Sequence, residues 1–236
     1  MIKQDFKTSG MIDVLKKVYH IAAFFWYAFL IQAIYAKGIS DLPPGLFVYG
    51  GTWKYLTFLN LVIQMLFFGM GSINDLQHVE KDSKVSPLCL CKDLLFSVFV
   101  FPVGMFVVVL FWVIYAYDRQ LVYPASMDTL FPSWLNHAMH TPVLPILLGE
   151  IYLEPHIYPK TKHGLAALGI AGLAYLGWVI WVYQIVGIWV YPLLGMFSSA
   201  GLIVFFFHNM LVVSLLYLLG QTLNQKFWSD KKGINF

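Results

Sequence analysis

The chain has 236 residues, of which 59% are hydrophobic and only 11% charged. Soluble domains carry about 25% charged residues, so this chain cannot cover its surface with polar groups. A soluble globular enzyme, a disordered protein and a nucleic-acid binder are thereby excluded, and the net charge of +3 matters less than where its charges lie.

In chain order, the first apolar run covers 18–36 and follows Lys16 and Lys17 directly. No small-residue cleavage site follows it, so it reads as a signal anchor. A membrane helix needs about 20 mostly apolar residues, because each rises 1.5 Å through about 30 Å of hydrocarbon. Further runs of that kind cover 53–74, 94–117 and 134–153. Cys89 and Cys91 lie between the second and third. Two apart, they suit a disulfide poorly; a reduced pair or juxtamembrane S-acylation is expected. The last stretch free of Asp, Glu, Lys and Arg runs from His163 to Gln225 and is too long for one pass. Gly187, Trp189, Tyr191, Pro192 and Gly195 interrupt it, giving helices over 164–186 and 198–222. The expectation is an all-α polytopic membrane protein, a single bundle of six transmembrane helices spanning residues 1–236, with no internal repeat of the transporter kind.

Lys and Arg give the orientation. Twelve of the 15 fall at the N-terminus, the second loop, the fourth loop and the C-terminus. Only Lys37, Lys54 and Arg119 fall on the other side. The positive-inside rule then puts both termini in the cytosol, as an even number of passes requires.

Strongly polar groups inside a membrane are costly and mark function more often than in soluble proteins. On the second helix, at 100° per residue, Asn60 lies about 60° and Gln64 about 20° from Thr57, so the three form one stripe. On the fourth, His137 and His140 share a face, with Asn136 beside them. Both groups read either as interhelical hydrogen-bonding glue or as a site. Depth favours pairing. Thr57 lies about 6 Å past Trp53, and His140 about 9 Å past Trp134, along helices that start from the same side. A hydroxyl and an imidazole at one level form a nucleophile and its base, and burial favours the neutral imidazole. No carboxylate is evident to orient His140: Glu150 is ten residues on, about 15 Å along the axis. Asn60, Gln64 and Asn136 are candidate oxyanion donors. His208 falls near the midplane and reads as a structural hydrogen bonder. His20, His78, His156 and His163 read as solvated or headgroup-facing. No third ligand accompanies His137 and His140, so neither a metal nor any other cofactor is expected.

Several strings carry a resemblance. They are Tyr49-Gly-Gly-Thr-Trp-Lys-Tyr-Leu-Thr57, Phe101-Pro-Val-Gly, Ile114-Tyr-Ala-Tyr-Asp-Arg119 and Trp134-Leu-Asn-His-Ala-Met-His140-Thr. Pro155-His-Ile-Tyr-Pro159, Trp189-Val-Tyr-Pro192 and Tyr217-Leu-Leu-Gly220 follow. Together they resemble the androgen-induced gene product family, from about residue 18 to 228. The resemblance implies a multi-pass hydrolase that cleaves fatty acid esters of hydroxy fatty acids, with Thr57 as nucleophile and His140 as its histidine. Asn60, Gln64, Asn136 and His137 would support the site. The substrate would come laterally from the bilayer, with Lys54 as partner for its carboxylate. Membrane lipids are the expected surroundings, without nucleic acid or an obligate protein partner, in the plasma membrane or alternatively the endoplasmic reticulum. The competing reading is a non-catalytic lipid-binding or regulatory membrane protein.

Overall fold

The computed structural model describes residues 2–36, 49–77, 86–129 and 131–228. Eight α-helices among the described residues carry the fold: α1 (Ile2–Ala36), α2 (Leu56–Leu76), α3 (Pro87–Leu95), α4 (Phe101–Asp118), α5 (Ser133–His140), α6 (Val143–Leu153), α7 (Thr161–Val186) and α8 (Ser199–Trp228). Among the described residues there is no strand. Five helical stretches of the described residues are long and apolar enough to cross a bilayer: Gly10–Ala36, Leu56–Leu76, Pro87–Leu121, Thr161–Val186 and Ser199–Trp228. The protein is therefore an all-α polytopic membrane protein. Its outer surface is apolar, with Phe25, Phe29, Val113, Ile170, Leu173 and Phe207 all exposed.

The fourth expected span differs from the other five. In place of one helix over 134–153 there are two short ones, α5 and α6, neither long enough to cross alone. The cause is chemical. Pro142 and Pro145 have no N–H to donate, and each ring crowds the carbonyl four residues back. The α5 helix closes with Thr141 N–H donating to His137 O, and α6 restarts from Pro142. In tandem the two still run from one end of the bundle, where His140 meets Thr57, to the other, where Glu154 meets Lys16 and Lys92.

Proline also shapes the third span. Residues Phe96–Val100 form a π-helical turn between α3 and α4, and the Phe101 N–H bonds back to Phe96 O. Pro102 follows at once. It cannot donate to Val98, and widening the turn relieves its clash with that carbonyl. The widened turn carries Phe96 onto the His156 ring, with centroids 3.9 Å apart. The long uncharged stretch ends its first helix at Gly187, whose φ of 74° closes α7 in the left-handed conformation that glycine adopts without a Cβ penalty.

One apolar cluster joins α1, α2, α4, α5 and α6 around Tyr27, Leu61, Phe67, Phe68, Phe101 and Leu147. A second joins α4 to α7 and α8 through Val98, Phe106, Leu168, Val213 and Tyr217. The helices alternate in direction. The part of α1 around Lys16, the end of α2, the start of α3, the end of α6 and the end of α8 meet at one end, through Lys16–Asp75, Lys92–Glu154 and Trp228 Nε1–H donating to Ile151 O.

Close approach of α2, α4 and α6 rests on Gly104. A Cβ there would lie 2.7 Å from both Gln64 Nε2 and Leu147 Cδ1. Gly104→Ala is expected to lower unfolding stability by about 1–3 kcal/mol, the usual cost of overpacking. An unchanged thermal midpoint in detergent would show that the three helices have slack there.

Candidate active site

Thr57 is the second residue of α2. A short 3-10 turn, Gly51–Lys54, precedes it, and Tyr55 is the N-cap in extended conformation. Gly50, at φ 76°, starts the turn. The first intrahelical bond here runs from Leu59 N–H to Tyr55 O. The amides of Leu56, Thr57 and Phe58 precede it and have no acceptor within the helix. Leu56 N–H donates to Tyr191 Oη at 2.9 Å. Tyr191 comes from the connector between α7 and α8, and lies 3.2 Å from Tyr175 Oη. Tyr175 donates in turn to Lys54 O at 3.0 Å. Its single proton is then spent, so Tyr191 donates to Tyr175. Burial raises the Tyr191 phenol above its ordinary value, against the opposing pull of its hydrogen bonds to Tyr175 and the Leu56 amide. The phenol therefore keeps its proton and stays both donor and acceptor. Two tyrosines thus brace the first turn of α2.

His140 is the last residue of α5, placed there by the proline break that follows. It is 3% exposed. Its Nδ1–H donates to Asn136 O at 2.8 Å, which leaves the Nε2 lone pair free. Nε2 faces Thr57 Oγ1 at 3.1 Å. The imidazole lies flat on the Phe111 ring of α4, with centroids 3.5 Å apart and planes within 6°. One hydrogen bond fixes the tautomer and one stacked ring fixes the plane. A backbone carbonyl therefore does the orienting that a carboxylate would otherwise do.

Two cavities meet at Thr57. The larger, about 330 Å³, is lined by apolar side chains of α2, α4, α7 and α8, with Thr57, Tyr175, Tyr191 and Asn209 its few polar members. The smaller, about 80 Å³, is lined by Thr57, His140, Thr52, Tyr55, Tyr123 and Tyr191, among others. A nucleophile at such a junction meets an apolar chain on one side and the base on the other.

The match to a known family covers the whole of this region. The FAR-17a/AIG1-like protein profile matches residues 15–225. The chain belongs to the FAR-17a/AIG1-like family. It is 40% identical over 216 residues to the androgen-dependent TFPI-regulating protein of Homo sapiens, covering 91% of this chain and 94% of that one. It is 41% identical over 194 residues to the androgen-induced gene 1 protein of Homo sapiens, covering 79% and 82%. A UPF0641 membrane protein of Schizosaccharomyces pombe is 26% identical over 137 residues, 58% of each chain. No solved structure matches.

The other expected site residues fall differently in this FAR-17a/AIG1-like chain. Asn60 and Gln64 are buried, but line neither cavity. Gln64 Nε2 donates to Asn60 Oδ1 and to Val100 O of the π turn, so the pair ties α2 to that turn. Asn136 serves His140 through its backbone carbonyl, while its side-chain Oδ1 is buried without a partner. His137 points out, stacks on Trp112 and lies 3.4 Å from Thr141 Oγ1; it does not reach Thr57. Lys54, read as lying near a mouth, is instead buried beside the Tyr55 ring. Burial pushes its ammonium below the ordinary lysine value, and it lines neither cavity. His208 is exposed on α8. Cys89 and Cys91 are free thiols.

His163 is exposed, and His78 lies outside the described residues. The reading of His20 and His156 as solvated is overturned, since they are 0% and 3% exposed. Both sit in an ionic cluster at the far end of the bundle with Lys16, Asp75, Lys92, Asp93, Glu150 and Glu154. Sequence offered one signal for it. Asp75 and Glu150 each stand directly after an uncharged stretch, at the end of a helix running the same way.

Tyr191 and Tyr175 were also not anticipated. Tyr191→Phe removes an acceptor for the Leu56 amide and the donor to Tyr175. About 0.5–1.5 kcal/mol of stability should be lost, as for a typical intramolecular hydrogen bond. Thermal unfolding of the variant in detergent measures it; no loss would mean that water replaces the phenol.

Proposed function

We propose that the protein hydrolyses fatty acid esters of hydroxy fatty acids within the membrane, with Thr57 as nucleophile and His140 as general base. The observation that carries this reading is the 3.1 Å approach of Thr57 Oγ1 to His140 Nε2 at the junction of two cavities. The substrate class comes from the resemblance, and the apolar lining suits it. A long acyl chain fits a cavity walled by Leu, Val, Ile and Phe, and reaches it from the surrounding lipid.

The chemistry follows from the geometry. His140 Nε2 takes the hydroxyl proton as Thr57 Oγ1 attacks the ester carbon. The Thr57 and Phe58 amides, free of helical acceptors at the positive end of α2, are the natural donors to the oxyanion. Collapse of the tetrahedral species expels the hydroxy fatty acid, which takes the proton back from His140. Water, deprotonated by the same Nε2, then releases the fatty acid from Thr57. The Asn136 carbonyl holds Nδ1–H throughout and favours the imidazolium that forms in each step.

A second reading is a non-catalytic lipid-binding protein, favoured by how few polar atoms the larger cavity presents. The two readings part on covalent labelling. Wild-type protein is expected to take a fluorophosphonate adduct on Thr57, mapped by mass spectrometry. Thr57→Ala and His140→Ala should each lose the adduct and slow ester hydrolysis by at least 10²–10⁴-fold, the usual worth of general-base catalysis, while remaining monodisperse and helical. Folded wild-type protein with no adduct at Thr57 and no ester turnover would leave the lipid-binding reading standing.

A further inference from the structure

Thr57 lines both cavities, but His140 lines only the smaller one. The larger runs down the bundle. The connector between α7 and α8 lies at the Thr57 end, since its Tyr191 accepts from the Leu56 amide. The last turn of α8 lies at the other end, where Trp228 donates to Ile151 O. On α7 and α8, the lining residues furthest from Thr57 are therefore Leu168 and Val213. Both are buried, and they belong to one apolar cluster against which Phe99 of the π turn packs. These three form the floor. Leu168 and Val179 both line the cavity, eleven residues apart on α7, or about 16–17 Å at 1.5 Å per residue. One leaflet of hydrocarbon is about 15 Å deep, half of the usual 30 Å, and one lipid chain spans it.

The chemistry sorts the two arms of an ester between these spaces. The Thr57 Oγ1–carbon bond forms, the ester carbon–oxygen bond breaks, and the departing oxygen takes its proton from the base. That proton sits on His140 Nε2, so the departing alcohol lies on the side of the smaller cavity. The acyl group that stays on Thr57 takes the other side.

The linings agree with that direction. Among the described residues that line the larger cavity there is no Lys, Arg, His, Asp or Glu. Its polar side chains other than Thr57 are already engaged. Tyr175 donates to Lys54 O, Tyr191 to Tyr175, and Asn209 Nδ2 to Phe205 O. A carboxylate placed there would be a buried charge without a counter-ion, which is expensive. In the proposed substrate the hydroxy acid carries the carboxylate, and the acyl arm ends in a methyl group. The smaller cavity holds 80 Å³ against 330 Å³, too little for a second long chain. Its walls include Thr52, Tyr123, Met127 and Phe131, from connections beyond the ends of α2, α4 and α5. It leads from Thr57 toward that end of the bundle.

We propose that the larger cavity is a ruler for the acyl arm. The chain retained on Thr57 runs down it until Leu168 and Val213 stop its methyl end, and the hydroxy acid departs past Tyr123 and Met127. This assignment rests on the hydrolytic reading of Thr57 and His140, and adds to it a direction and a length. Acyl length is selected by contact with the floor, and a charged group on the acyl arm is rejected.

The test uses the full chain in detergent and fluorophosphonates that differ only in the alkyl group on phosphorus, ethyl or hexadecyl. With each, the Thr57 Oγ1–phosphorus bond forms, fluoride leaves, and the hydroxyl proton passes to His140. The alkyl group thus takes the place of the acyl arm. The readout is the rate of Thr57 labelling by mass spectrometry, taken as the ratio of the hexadecyl to the ethyl probe. Val213→Phe and Leu168→Phe are each expected to lower that ratio by about 10–200-fold, the usual worth of a methylene in an apolar pocket. Leu168→Ala deepens the floor and should speed labelling by a longer, docosyl probe relative to the ethyl one. It carries the test alone if the Phe variants do not fold. Ratios equal to the wild-type values in the folded variants overturn the ruler, while labelling of Thr57 by the ethyl probe upholds the hydrolytic reading. A hexadecyl-to-ethyl ratio that falls instead in Met127→Trp reverses the two arms and also overturns it. Folded wild-type protein labelled by neither probe removes the hydrolytic reading and the ruler with it.

Discussion

Glu150 can remain a carboxylate inside this bundle only because two imidazoles reach it from opposite sides. Breaking a buried ion pair costs about 3–5 kcal/mol, a large part of the 5–15 kcal/mol that holds a typical protein folded. The partners of Glu150 and their own partners come from α1, α2, α3, α6 and the segment after α6. Asn224 of α8 joins through paired hydrogen bonds to the His156 backbone. One buried charge therefore fixes the relative positions of most of the helices at one end. Gly71 leaves the space that His20 needs to reach it, and the π turn supplies Phe96 as a cover for His156.

The other end brings Thr57 and His140 together. The α2 helix is shared by both. Its last turn supplies Asp75 to the ionic cluster and its first turn supplies Thr57. The α5–α6 pair is shared as well, with Glu150 and Glu154 at one extremity and His140 at the other. A straight helix over the same residues would have served the ionic end alone. The break at Thr141 and Pro142 lets α5 take its own direction, so that His140 settles against Phe111 and faces Thr57. Gln64, on the same stripe as Thr57, bonds to the carbonyl of Val100 in the π turn. In both spans, proline has turned a local loss of hydrogen bonding into a change of direction.

Much of this was legible in the sequence. Hydropathy and the positions of Gly and Pro point to a helix at five of the six expected spans, although three of those helices begin or end six to eight residues beyond the expected bounds. Equal depth from Trp53 and Trp134 places Thr57 and His140 at one level. What periodicity could not show was the partner each polar group would choose. Asn60 and Gln64 share a stripe with Thr57, but their amides turn to each other and to the π turn. His137 shares a face with His140 by spacing, yet the short α5 leaves it outside, against Trp112. The histidines at helix ends were misread for a related reason. Position along the chain says how far a residue lies from the apolar core of its own helix. It says nothing about carboxylates brought to the same place by other helices.

Under the proposed hydrolysis, the contrast between the two ends also bears on how Thr57 would serve as the attacking group. A hydroxyl in water has little reason to lose its proton to an imidazole. Here the imidazole carries no carboxylate and sits between an aromatic face and an apolar cavity. The buried carboxylates are gathered at the far end, while the buried charged side chain near Thr57 is Lys54, whose ammonium lies 5.6 Å from the centre of the Tyr55 ring. Negative charge developing at Thr57 during the proposed attack would meet the first-turn amides and the helix dipole of α2. Electrostatic effects of fixed dipoles are strongest where the surroundings are dry. Keeping the buried carboxylates at the far end leaves those dipoles without a buried negative charge to oppose them at Thr57, and under the proposed function that separation would let a neutral Thr–His pair act inside a bilayer.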